Sequence, residues 1–155
     1  MLTTNFDLWT YRDMSEFVKA ARNDPMKAQT LAFKVVTAWE YDTPLAEGAF
    51  LQLWPLEAAE AFRLINEQAD DFIRELDLNV VTVDFKAGNW RQERFLEFNE
   101  ALETGNTPKV EKMVREVVSM AGYSAADDRP LTASEGARFV RAVIMAWSDV
   151  VQGKA

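Results

Sequence analysis

Residues Pro55–Leu76 read PLEAAEAFRLINEQADDFIREL, and the fold follows from this stretch. Ala58, Phe62, Ile65, Ala69, Phe72 and Leu76 are spaced four, three, four, three, four. That is the seam of a helix packed along its whole length, and Pro55 fits the first turn, where no amide is needed. The same spacing returns near the other end in Ala133, Ala137, Val140, Ile144, Trp147 and Val151, behind the capping-box pair Thr132 and Glu135. Two long amphipathic helices therefore anchor the chain.

Shorter helices fill the sequence ahead of each. Thr10 and Asp13 form a capping box, with Trp9 placed to staple over Met14 and a stripe of Tyr11, Met14, Phe17, Val18 and Ala21. Asn23-Asp24-Pro25 makes a tight turn into a second helix, whose stripe runs Ala28, Leu31, Ala32, Val35, Val36 and Trp39. Thr43-Pro44 predicts a short helix through Leu53. In the second half, Asn89 with Gln92 predicts a cap for a helix carrying Phe95, Leu96, Phe98 and Leu102. Thr107-Pro108 opens another, with Val110, Met113, Val114, Val117 and Ala121. Between the halves, Val80, Val81, Val83 and Phe85 lose the helical period and predict an extended connector over 77–88 with no visible partner strand.

The expected fold is therefore all-α: one domain over 1–155, with six to seven helices in two similar halves, about 10–76 and 89–151. Each half runs hairpin, aliphatic pair, Pro-Leu loop and long helix. The valine pairs Val35-Val36 and Val117-Val118 align at an offset of 82.

Composition narrows the function. The chain has 155 residues, 48% hydrophobic and 27% charged, which suits one packed domain. It has no cysteine, which excludes disulfides, thiolate metal sites and cysteine nucleophiles, and no histidine, which removes the commonest acid–base side chain. The expectation is a non-enzymatic protein without metal or cofactor. Net charge is -8, and Met1–Leu78 hold 14 acids against 7 bases. Such a surface repels phosphate backbones and anionic lipid, so neither nucleic acid nor membrane is an expected partner. With no leader-like start and no bilayer-length apolar run, the expected location is the cytoplasm.

Glu57, Glu60, Glu67 and Asp70 have the residue types of a helical metal-dependent phosphohydrolase. All four fall on one helix, though, where they read as a solvated face. Glu93, Glu97, Glu100 and Glu103 stack along another helix, either as a solvated face or as a docking stripe for a basic partner. Trp39, Trp147 and Trp9 fall at structural positions. Trp54, Trp90 and Phe85 lie beside breaks in the pattern and either plug the ends of the core or face a partner.

Thr10-Tyr11-Arg12-Asp13-Met14, Asn23-Asp24-Pro25, Val35-Val36-Thr37-Ala38-Trp39 and Pro44-Leu45 together resemble small helical tail assembly chaperones of long-tailed bacteriophages. The resemblance covers about the first 76 residues and extends to the second half through Val117-Val118 and Pro130-Leu131. It implies a protein of the host cytoplasm that coats a hydrophobic, helical tape-measure protein during tail building and is then released. The apparent doubling departs from that family. The residues thus lead to a protein-binding adaptor or assembly chaperone, with Trp54, Phe85, Trp90, Glu93, Glu97 and Glu100 as candidate contacts. The alternative is an acidic, phage-encoded inhibitor that mimics nucleic acid and blocks a basic cleft of a host protein.

Overall fold

A computed structural model describes residues 1–124 and 129–153. Among them are six α-helices: α1 Tyr11–Asn23, α2 Pro25–Phe33, α3 Pro55–Arg74, α4 Gln92–Glu103, α5 Thr107–Val114 and α6 Ala133–Val151. The long helices lie where their stripes place them. The boxes at Thr10/Asp13 and Thr132/Glu135 close in both directions, and Asp24 caps α2 ahead of Pro25.

The fold is mostly helical but not all-α. Strand β1 (Leu2–Thr4) pairs antiparallel with β2 (Val36–Trp39), and β3 (Thr82–Val83) pairs antiparallel with β4 (Val118–Ser119). The valine pairs expected at helix ends therefore begin strands. β-branched runs lose rotamer freedom in a helix and fit a pleat, and here each finds an edge to pair with. The supposed connector is likewise paired through Thr82–Val83, and its Asp84 N–H donates to Val117 O at 2.8 Å. The Asn5 N–H makes the matching bond to Val35 O at 2.7 Å.

Three local expectations also change. The Thr43-Pro44 helix does not form, and that stretch holds only a 3-10 turn at Ala49–Gln52. Asn89 adopts a left-handed φ of 53° instead of capping, so Arg91 takes the N-cap of α4; asparagine tolerates that region. Asn106, not Thr107, caps α5.

The buried residues form two clusters. The first gathers Trp9, Phe17, Leu31, Val35, Phe50 and Ile65, and the second Trp90, Phe98, Met113, Val114, Phe139 and Val143. Helix α6 ties them together: Ala133 and Ala137 belong to the first cluster, and Phe139, Val140 and Val143 to the second. The expected seam of α6 reaches the second cluster again at Trp147, but Ile144 and Val151 are exposed.

The join is built from backbone. Tyr11 N–H donates to Leu131 O at 2.9 Å, and Ala133 N–H donates to Trp9 O at 3.1 Å. The Tyr11 ring then lies on the helix at Gly136, where an added Cβ would sit 2.1 Å from Tyr11 Cγ. Nearby, the buried Glu111 carboxylate accepts from Arg12 Nε at 2.8 Å and from Leu131 N–H at 3.3 Å.

Gly136→Ala should therefore destabilise, by about 2 kcal/mol, because overpacking here outweighs the roughly 1 kcal/mol helix-propensity gain of alanine. In a Tyr11→Ala background the same substitution should cost nothing, which urea melts of the four-member cycle would show.

Burial and then the Glu111 charge push the Tyr11 phenol up to about 12. The unfolded phenol ionises near pH 10. The neutral form is thus favoured in the fold, its contribution is complete below pH 10, and it is lost as pH rises towards 12. Tyr11→Phe should flatten the decline in melting temperature across that window.

Candidate partner-binding surface

The 3-10 turn before α3 determines which side chains face out. Gly48 enters it at a left-handed φ of 77°, and the turn then buries Ala49 and Phe50 while leaving Leu51 60% exposed. Leu53 returns to the core. Trp54 follows in extended conformation at the N-cap of α3, its N–H satisfied by Glu57 Oε1 at 3.0 Å. Its ring is 76% exposed, and Leu56, on the outer side of the first turn, is 85% exposed. Next to Leu51 is a cleft of about 360 Å³ lined by Met26, Thr30, Phe33, Glu47 and Phe50. Three large exposed apolar side chains thus fall within six residues at the start of α3.

The patch has an acidic edge. Glu57 and Glu60 follow within the first two turns of α3, and Glu60 accepts from the Tyr41 hydroxyl at 2.9 Å. Desolvation, with that hydrogen bond second, raises the Tyr41 phenol to about 12. Glu60, Glu67 and Asp70 are exposed along the helix, and Arg63 pairs with Glu67 at 2.9 Å. Among the described residues no cluster of carboxylates is placed to hold a metal ion.

The other tryptophans are packed. Trp9 Nε1 donates to Leu31 O and Trp39 Nε1 to Thr43 O, each at 2.8 Å. Trp147 stacks on Phe95 at 3.9 Å between ring centres. Trp90, expected at a core end or a partner face, is core: it is 7% exposed, lies 5.4 Å from Phe98, and donates to Glu116 Oε1 at 2.9 Å. Phe85 is half-buried between Trp90 and Trp147, at 5.8 and 5.7 Å. The strand pairing of Thr82–Val83 turns Phe85 inward.

The acid stripe of α4 is uneven. Glu97 is bound by Arg94 at 2.8 Å and Lys109 at 3.0 Å, and its carboxyl titrates below the usual range, with the Lys109 hydrogen bond the larger cause. Arg94 itself makes its closest contact, 2.6 Å, with Glu116. Glu93 and Glu100 are exposed and flank a shallow groove with Gln92 and Leu96.

Sequence reading left Trp54 ambiguous and missed Leu51, Leu56 and Met26. Leu56 carried a usable signal, since it stands off the four–three seam that starts at Ala58. Leu51 did not, because the local structure was expected to be helical.

No family model matches the chain, and no curated protein or solved structure matches it. Among the described residues, no helix is long and apolar enough to cross a membrane.

The two tryptophans separate cleanly by experiment. Trp90→Ala should cost about 3–5 kcal/mol in chemical denaturation. Trp54→Ala should stay within about 0.5 kcal/mol of the parent.

Proposed function

We propose that this protein is a non-enzymatic, protein-binding adaptor of the assembly-chaperone kind, a phage tail assembly chaperone in particular. Its partner surface is Leu51, Trp54 and Leu56 with the adjoining cleft. One observation carries the reading: the only exposed tryptophan among the described residues stands between two exposed leucines, while the other four are packed. An exposed tryptophan with exposed leucines close by in sequence is the residue type that anchors protein interfaces. The acidic rim favours a partner whose apolar face is edged with lysine or arginine. A hydrophobic, helical tape-measure protein would meet the apolar requirement.

The reading includes a duplicated unit of strand, helix, helix, strand and long helix. Support comes from buried positions that match in order. Trp9, Met14, Phe17 and Ala20 correspond to Trp90, Phe95, Phe98 and Ala101 at an offset of 81. Ala28, Leu31, Ala32, Val35 and Val36 correspond to Val110, Met113, Val114, Val117 and Val118 at 82. Leu53, Ala61 and Ile65 correspond to Leu131, Phe139 and Val143 at 78. On this reading the stretch 77–88 contains the first strand of the second unit, and the first unit begins at Leu2.

The alternative, an acidic inhibitor that occupies a nucleic-acid cleft, draws support from Glu93 and Glu100. It is the weaker reading because Glu97, between them, is neutralised by two cations.

Co-expression with the products of adjacent genes, followed by pull-down, tests the proposal. The wild-type chain should retain a partner that Trp54→Ala with Leu56→Ser releases, at unchanged melting temperature and with little dependence on salt. A complex untouched by those substitutions but broken by salt and by Glu93→Lys with Glu100→Lys would overturn it in favour of the acidic inhibitor.

A further inference from the structure

A second surface, remote in sequence from the Trp54 patch, has the opposite character. Helix α1, helix α6 and the C-terminal ends of α3 and α4 border an open cleft of about 540 Å³. Its apolar lining includes Met14, Val18, Ile73, Leu102 and Val140. Lys19, Arg22 and Arg141 line it as well. The volume falls within the usual range of small-molecule sites.

Three cations thus share one cleft in an acidic chain. Arg12, Lys27, Lys34, Arg63, Arg74, Arg94, Lys109 and Arg129 are all in ion pairs. Lys19, Arg22 and Arg141 share with Lys86, Arg91, Lys112 and Arg138 the lack of an ion pair among the described residues, and of these seven only the first three line this cleft. Lys19 donates to Gly105 O at 2.8 Å and Arg141 to Ile73 O at 2.5 Å. Those bonds close helix ends, but each carbonyl takes one N–H and leaves the positive head further donors. Of the nearby acids, Glu16 is held by Lys27 at 2.7 Å, and Glu103 alone lines the cleft.

Nor is a basic face common to such helices in this chain. At an offset of 81 from Arg12, Lys19 and Arg22 stand Glu93, Glu100 and Glu103 on α4. Lys19 and Arg22, which line the cleft, thus have acids at the corresponding positions of α4.

We propose that this cleft binds a small amphipathic anion, a hydrocarbon chain ending in a single carboxylate. The lining supplies apolar contact along the chain, and Arg22 and Arg141 supply charge-assisted hydrogen bonds to the head. A polyanion such as nucleic acid fits poorly, since it would meet the net charge of -8 beyond the rim. Bound between α1 and α6, the ligand would brace the join of the two clusters. The inference stands apart from the partner surface at Trp54 and survives or fails separately.

The test is titration of the full chain with dodecanoate below its micelle concentration, read by displacement of the fluorescent anion anilinonaphthalene sulfonate and by melting temperature. Saturable one-to-one displacement is expected, with a melting temperature that rises with ligand. Arg22→Glu, an exposed change that leaves the helix-end bonds intact, should weaken dodecanoate at least tenfold. Trp54→Ala should leave the affinity unchanged. Absence of saturable displacement, equal affinity for dodecanol, indifference to Arg22→Glu, or loss of binding in Trp54→Ala would each overturn the proposal.

Discussion

The contact on which the rest depends is the crossing of α1 over the start of α6. Helices α2 and α5 have nine and eight residues, too few to be stable alone, and each pair of strands is only two to four residues long. Neither cluster is large. What holds them is one helix that gives its first turns to one core and its middle to the other. That sharing requires the backbone of α6 to come close to Tyr11, and the absence of a side chain at Gly136 makes the approach possible. Glu111 reinforces it from the second half by accepting from Arg12 of the first.

This explains which parts of the fold were legible in sequence. Capping boxes and the four–three seams are local signals, and Thr10, Thr132 and the α3 stripe were read correctly from them. The strands were not, because Val35-Val36 and Val117-Val118 satisfy a helical stripe as well as a pleat. Choosing between the two needs knowledge of Leu2–Thr4 and Thr82–Val83, partners about 34 residues away whose own runs are too short to signal. The role of Trp90 was hidden as well. Its neighbours in sequence are polar, and Phe85 comes beside it through a local turn in which the Trp90 N–H donates to Phe85 O at 2.8 Å. At the candidate surface the residue types were legible and their exposure was not.

If the chain is a doubled unit, as proposed, its halves resemble each other inside and differ outside. Core positions match in order, while surface charges invert between α1 and α4: Arg12 against Glu93, Lys19 against Glu100, Arg22 against Glu103. A core constrains residues through close packing whatever the protein does. Surface positions carry no such constraint, so contrasts between matching faces are where distinct roles would be expressed. The basic cleft by α1 and the acidic groove by α4 are one such contrast.

The start of α3 against the start of α6 is another. At Leu131–Ala133, Thr132 caps the helix with its hydroxyl, and Trp9–Tyr11 covers the backbone through two hydrogen bonds. The matching residues in the first half are Leu53, Trp54 and Pro55. Proline has no N–H to offer, so the bond that Ala133 makes to Trp9 has no counterpart, and a strand covering this edge would lose half its backbone attachment. Trp54 brings a bulky ring where Thr132 has a small hydroxyl, and Leu56 stands where Ser134 does. Each change exchanges backbone recognition for apolar side-chain surface. An occupant of this edge therefore has to be held by burial of Trp54 and its leucines, which favours the apolar face of a helix over an added strand.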